Sequence, residues 1–229
     1  MIDVIYPLSQ TVDSFPKNDV FVVVAIILCT ILTTIAIANA KDVLWKQIKE
    51  FSTNREVSSI FETASIENSS YLSLLTTQFF LSSGVISYYI LYYSNSEWVV
   101  KYSSWQIILS VGAIFLLYFI AKVTLYSYIG WIFFRGNIID TWFKSYYTII
   151  HALSIFLLPF LFATIYLNLS INTVLFTALG LLFLSKVLIL YKLFNLFFKN
   201  IYTTLPLFLY FCALEIVPLL LLYKISGAN

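Results

Sequence analysis

Residues 205–224 read LPLFLYFCALEIVPLLLLYK, and this stretch decides the fold class of the chain. It is apolar over almost its whole length, and a run of about 20 apolar residues is long enough to cross a bilayer as a helix. Glu215 lies near its midpoint, and Pro218 follows three residues later. A carboxylate at membrane depth costs about 2.5–3.5 kcal/mol on insertion scales, so such a residue normally has a partner or a task. The stretch predicts a membrane helix that carries a polar group.

The rest of the chain has the same character. Of its 229 residues, 61% are apolar and only 10% are charged, whereas a soluble domain carries about 25% charged residues. We therefore predict an all-α membrane protein, a single polytopic domain with six transmembrane helices. The predicted spans are about 20–38, 71–93, 106–129, 143–167, 173–198 and 205–223.

The longest polar stretch, residues 41–68, separates the first two spans. Its apolar residues recur at helical spacing, for example at Leu44, Ile48 and Phe51. This spacing predicts an amphipathic segment that lies on the membrane surface. The alternative is a helical extension of the first span followed by a loop.

The basic residues of the connections predict the orientation. One set of connections carries eight Lys and Arg residues, in 41–55, 135–144 and 192–199, whereas the other carries three, Lys17, Lys101 and Lys224. The side with more Lys and Arg faces the cytoplasm in most membrane proteins. We expect a cytoplasmic 41–68 segment and periplasmic N- and C-termini. Aromatic residues near the span ends, such as Trp98, Trp131 and Trp142, fit the interfacial belt of a bilayer.

Four ionisable side chains fall within the predicted spans: Lys122, His151, Lys186 and Glu215. Counted from a turn near Tyr202, Lys186 lies sixteen residues back and Glu215 thirteen residues forward. Three residues of helix correspond to about 4.5 Å of depth, which a lysine stem can span. We therefore predict a Lys186–Glu215 ion pair across the last two helices.

The sequence around Lys122, LLYFIAKV, resembles LLFLSKV around Lys186 at an offset of 64, and His151 and Glu215 are also 64 apart. This indicates either a parallel repeat of helical hairpins or chance similarity between Leu-rich helices. Tyr118 and Tyr126 flank Lys122 by one turn each way, and Tyr147 precedes His151 by one turn. These polar groups either line a cavity for an ion, a proton or an anionic group, or satisfy one another and lock the bundle.

Other chemistry has no signal in the sequence. A single histidine without an acidic cluster argues against a metal site, and no nucleophile or nucleotide-binding motif is present. The basic residues form no patch that would bind nucleic acid. Cys29 and Cys212 both lie in apolar runs and are expected to pack as small hydrophobic residues. We predict no catalytic residues, no metal and no cofactor.

The ending LYFCALEIVPLLLLYK, with Glu215, Pro218 and Lys224, resembles the C-terminal signature of an uncharacterised family of integral membrane proteins from Bacteroidetes. The resemblance extends to FSTNR at 51–55 and to YSYIGWIF at 126–133. It implies a location in the bacterial inner membrane, and it implies no activity or site.

Two functions fit these observations. The first is a non-catalytic accessory or structural subunit that docks other inner-membrane proteins, supported by short loops and by a patch of small residues, Gly84 with Ser82, Ser83 and Ser87, expected to be exposed. The second is a small proton-coupled or anion-handling permease, because the four ionisable groups within the spans have a formal charge of +1 with neutral histidine. An intramembrane enzyme acting on lipids is the least supported function, and the solute that a permease would carry is unknown.

Overall fold

The computed structural model describes residues 19–53, 66–94, 96–133 and 137–197. Within those ranges the chain is helical and contains no strand, which confirms the predicted all-α class for this part. The helices are α1 (Val20–Thr53), α2 (Ile66–Tyr93), α3 (Glu97–Lys101), α4 (Ser104–Phe133), α5 (Asn137–Tyr166) and α6 (Ile171–Phe197).

Five of the described helices contain a stretch that is long and apolar enough to cross a membrane. These stretches are Val20–Asp42, Tyr71–Tyr93, Ser104–Tyr128, Trp142–Tyr166 and Ile171–Lys192. Each overlaps one of the first five predicted spans, and their number fits a multi-pass membrane protein. The sixth predicted span, 205–223, lies outside the described residues, so the count of six stays a prediction.

The first helix does not end where its membrane span ends. α1 continues to Thr53, with a kink at Ala40, whose φ of −118° and ψ of 15° depart from helical values. Residues 41–53 are therefore a helical extension of the first span, which was the alternative prediction for the start of the 41–68 segment. Residues 54–65 lie outside the described part, and the cytoplasmic placement of the segment stays a prediction.

The second helix lies at the centre of the described bundle, where it packs against α1, α4 and α5. Its most buried side chains are Leu75, Gln78, Ser82, Val85 and Tyr89, which follow one another in steps of three and four residues. Such steps place them on one helix face. Two members of this buried face are polar, which matters for the site described below.

The small-residue patch of α2 is turned inward. A Cβ added to Gly84 would lie 2.6 Å from the Ile108 carbonyl oxygen on α4, and a Cβ on Gly112 would lie 3.4 Å from the Phe80 carbonyl oxygen. Gly84 and Ser82 are buried, and Ser83 and Ser87 are half-buried. The expectation of an exposed patch was therefore wrong, because α4 of the same chain occupies it.

The bundle has two ends, which we name after a residue at each. At the Asp19 end, the start of α1, the end of α2, the start of α4 and the α5–α6 turn come together. Asp19 accepts hydrogen bonds from the hydroxyls of Ser104 and Tyr88, and the hydroxyl of Tyr89 donates to the Leu169 carbonyl at 2.7 Å. These bonds fasten all four segments to one another.

At the opposite end, the Trp142 end, the α1 span finishes and α2 begins. Leu44 of α1 and Leu75 of α2 share one apolar cluster there. Tyr126, near the end of α4, and Trp142, near the start of α5, share a second cluster, which Ile189 of α6 joins. The Trp142 end therefore carries both the aromatic side chains of α4 and α5 and the extension of α1.

Candidate functional site

Lys122 lies between α4 and α5 with only 5% of its surface exposed. Its Nζ is 5.9 Å from the ring centre of Tyr118, 5.6 Å from that of Tyr126 and 5.5 Å from that of Tyr146. Tyr118 and Tyr126 come from α4, at the one-turn spacing seen in the sequence, and Tyr146 comes from α5. A desolvated cation over an aromatic ring gains about 2 kcal/mol. Three rings therefore offset much of the cost of about 2.5–3.5 kcal/mol for a lysine at membrane depth.

We call Lys122 with Tyr118, Tyr126 and Tyr146 the Lys122 cage. Other aromatic side chains pack against the tyrosines of this cage. The Phe119 and Tyr146 rings stack with 6.1 Å between centres and 9° between planes, and Tyr126 meets Trp142 edge-on at 5.8 Å. Trp142 is the first residue of its candidate span and is 1% exposed, so it lies at a span end as predicted but faces the core of the bundle. Its indole belongs to the core that positions Tyr126 and Tyr146.

His151 lies further along α5, in contact with α2. It is 4% exposed, its Nε2 is 3.5 Å from the Thr76 hydroxyl oxygen, and its ring stacks on Tyr147 at 6.2 Å between centres. Its Nδ1 is buried and makes no hydrogen bond to any residue in the described part of the chain. A buried polar atom left unsatisfied costs about 1–3 kcal/mol, so this nitrogen is the one polar feature of His151 that packing does not explain.

A group of uncharged polar side chains joins α1, α2 and α5. Gln78 Nε2 donates to Ser82 Oγ at 3.0 Å, and Ser82 Oγ donates to Cys29 Sγ at 3.5 Å. From α5, the Ser154 hydroxyl donates to the Leu75 carbonyl at 2.6 Å and contacts the Gln78 side-chain oxygen. We call these residues the Gln78 network. All four side chains in it are fully buried, so the network satisfies its polar groups within the bundle.

Two further lysines, Lys186 and Lys192, lie on α6. Lys186 is half-buried. Lys192 is 6% exposed and shares a buried face with Ser185 and Ile189, at steps of four and three residues. Lys192 was predicted to lie in a connection, whereas it lies inside α6 as the last residue of the candidate span.

A comparison with protein families identifies the chain. Residues 22–225 match the family model described as Domain of unknown function (DUF4271). The chain belongs to the DUF4271 family. This confirms the resemblance to an uncharacterised family. No curated protein and no solved structure matches the chain.

The DUF4271 match covers the Lys122 cage, His151 and the Gln78 network, and it also covers two predicted residues that the structure does not describe. Glu215 and Pro218 lie outside the described residues. The Lys186–Glu215 ion pair and the 64-residue repeat therefore stay predictions. In the described ranges, no three His, Cys, Asp or Glu side chains come together as metal ligands would.

Sequence reasoning missed Tyr146, Thr76 and the Gln78 network of this DUF4271 chain. Ionisable residues stand out in an apolar sequence, whereas Gln78 and Ser154 are uncharged. A signal was nevertheless present, because Gln78 and Ser82 are four residues apart in an apolar span, and His151 and Ser154 are three apart. Polar residues at helical spacing in a membrane span indicate a shared polar face.

Proposed function

We propose that this DUF4271 protein is a non-catalytic protein of the bacterial inner membrane that serves as an accessory or structural subunit of a larger membrane assembly. The observation that carries the proposal is the internal pairing of the buried polar groups. The Gln78 network joins three helices through its own hydrogen bonds, and Lys122 lies over three tyrosine rings. Buried polar side chains that contact one another or aromatic rings across helices hold the bundle together.

The outward faces of the bundle leave room for partners. Half of the α2 span is buried, whereas only 17% of the α4 span and 17% of the α6 span are buried within the described bundle. Both helices expose large apolar side chains, among them Leu117 on α4 and Phe183 on α6. In a membrane such faces meet lipid, the predicted sixth span of this chain or the helices of another protein, and helix association there proceeds through close packing.

Site-directed photo-crosslinking in native membranes tests the assembly role. A photoreactive amino acid would replace Leu117 on α4, Phe183 on α6 or Phe156 on α5, all of them exposed. We expect a discrete protein adduct of constant mass from at least one of these faces and lipid adducts from the others. A photoreactive residue in place of Leu161, which is fully buried, is the matched control and should give no intermolecular adduct. Lipid adducts alone from all three outward positions would argue against a subunit role.

A proton-coupled or anion-handling permease is the second candidate, and His151 favours it. Its Nδ1 is buried and has no hydrogen bond to a residue that the structure describes, while its Nε2 faces the Thr76 hydroxyl. Histidine is a common proton shuttle, and a buried ring nitrogen of this kind is where a transported proton would bind. Glu215, predicted within the sixth span, would be a second such group.

Reconstituted vesicles separate the two candidates. A permease would dissipate an imposed pH gradient or carry an anion into the vesicles, and the His151→Gln variant would lose this flux. Glutamine at this position retains a polar end near Thr76 but cannot carry the proton. A Glu215→Gln variant should behave in the same way if both groups serve transport. Wild-type vesicles as tight as protein-free vesicles would count against the permease.

A further inference from the structure

The extension of α1 presents a basic and aromatic stripe beside the bundle. Lys41, Trp45 and Lys49 are spaced by four residues, and all three are exposed. This spacing places them on one face of the helix. Leu44 is buried in the cluster that contains Leu75 of α2. Trp45 follows Leu44 by one residue and points about 100° round the helix from it, so the exposed stripe faces the side of the bundle.

The stripe begins where the apolar span of α1 ends. The α1 span finishes at Asp42, and the kink at Ala40 separates the apolar helix from its basic extension. Tyr128 and Trp131 on α4 are exposed at the same end of the bundle. Tryptophan and tyrosine favour the headgroup level of a bilayer, so these side chains indicate that the stripe lies among lipid headgroups.

The two ends of the described bundle differ in charge. At the Trp142 end the exposed charged side chains are Lys41, Lys49 and Lys144, with Asp42 as the one exposed acid among the side chains described there. At the Asp19 end they are Lys101 and Glu97, with the half-buried carboxylate of Asp19 beside them. Among the side chains that the structure describes, the Trp142 end therefore has two more basic than acidic groups, and the Asp19 end has one more acidic than basic group.

We infer that the Trp142 end is a binding surface for anionic phospholipid headgroups, with Lys41, Lys49 and Lys144 contacting phosphate groups and Trp45 inserted at headgroup level. Lysine stems reach along apolar surface while the ammonium stays in the polar region. Basic residues beside a membrane attract anionic lipids, and each adds about 1 kcal/mol. The position of the stripe favours lipid over an acidic protein, because it faces sideways at headgroup depth rather than outward into water.

Titration of the purified full-length protein with lipid tests this inference. Phosphatidylglycerol and phosphatidylcholine would be added to the protein in a neutral detergent, with lipid retention followed by native mass spectrometry and thermal stability measured in parallel. We expect the wild type to retain phosphatidylglycerol preferentially. The triple variant Lys41→Gln, Lys49→Gln, Lys144→Gln should lose the preference, with each lysine accounting for about a five-fold change in affinity. The corresponding triple arginine variant should keep it.

The control is Lys101→Gln at the Asp19 end, which also removes an exposed lysine and should leave the lipid preference unchanged. Salt at about 1 M should abolish the preference in the wild type, because it shortens the screening length to about 3 Å. Three results would overturn the inference. They are equal retention of both lipids by the wild type, an equal loss in Lys101→Gln, and lysine-dependent binding of a soluble polyglutamate peptide in preference to the lipid.

Discussion

Among the described glycines, Gly84 marks the closest approach between α2 and α4. A Cβ at this position would be 2.6 Å from the Ile108 carbonyl oxygen, and backbone on both sides cannot move aside as a flexible side chain can. We expect Gly84→Ala to force the helices apart and to destabilise the protein by about 1–3 kcal/mol, the usual cost of overpacking. Unfolding in mixed micelles with increasing dodecyl sulfate would measure the change.

Two other glycines form a graded control for this prediction. At Gly112 the added Cβ would meet the Phe80 carbonyl oxygen at 3.4 Å, which is close to ordinary contact, and at Gly180 it would meet nothing within 4 Å. Gly112→Ala should therefore cost less than Gly84→Ala, and Gly180→Ala should cost nothing measurable. Equal effects at all three positions would contradict the close crossing of α2 and α4.

Between elements, the Gln78 network makes a specific link from α2 to α5. The Ser154 hydroxyl contacts both the Leu75 carbonyl and the Gln78 side chain. Interhelical hydrogen bonds in membrane proteins average about 0.6 kcal/mol and reach about 1.7 kcal/mol. We expect a double-mutant cycle of Gln78→Leu and Ser154→Ala to give a coupling energy in this range, because each change removes a partner of the other.

Ser87→Ala is the matched control for this cycle, because within the described residues the Ser87 hydroxyl bonds only to the Ser83 carbonyl of its own helix. Combined with Ser154→Ala it should show no coupling, since the two changes share no contact. A coupling of the same size in the Ser87 cycle would mean that the α2–α5 link is not specific to Gln78.

The elements themselves were the most predictable part of the structure. Length and apolar composition are properties of one stretch at a time, so five spans could be located from the sequence. Which face of a helix meets which neighbour is decided by the whole bundle. For this reason the small-residue patch at Gly84 was expected to meet other proteins although α4 covers it, and the position of Trp142 at a span end did not show that its side chain faces the core. The Lys122 cage was half predicted, because Tyr118 and Tyr126 share its helix, whereas Tyr146 comes from another helix.

At the scale of the whole molecule, the orientation in the membrane connects the proposed function to the proposed lipid surface. Trp45 lies beyond the end of the α1 span, and Trp98 lies beyond the end of the α2 span. Because the candidate span of α2 separates them, we expect the two residues to lie on opposite sides of the membrane. The excess of Lys and Arg in the connections predicts that Trp45 is cytoplasmic and that Trp98 is periplasmic.

Thiol labelling measures this arrangement directly. Trp45 and Trp98 are both exposed, whereas the native Cys29 is fully buried, so Trp45→Cys and Trp98→Cys would be made with Cys212→Ala alone. We expect a membrane-impermeant maleimide to label the Trp98→Cys variant in intact spheroplasts and the Trp45→Cys variant only after the membrane is opened. The reverse pattern would preserve the fold but place the basic Trp142 end at the periplasmic surface. Labelling of both variants in intact spheroplasts would contradict the membrane crossing by α2, on which the whole arrangement of the described bundle depends.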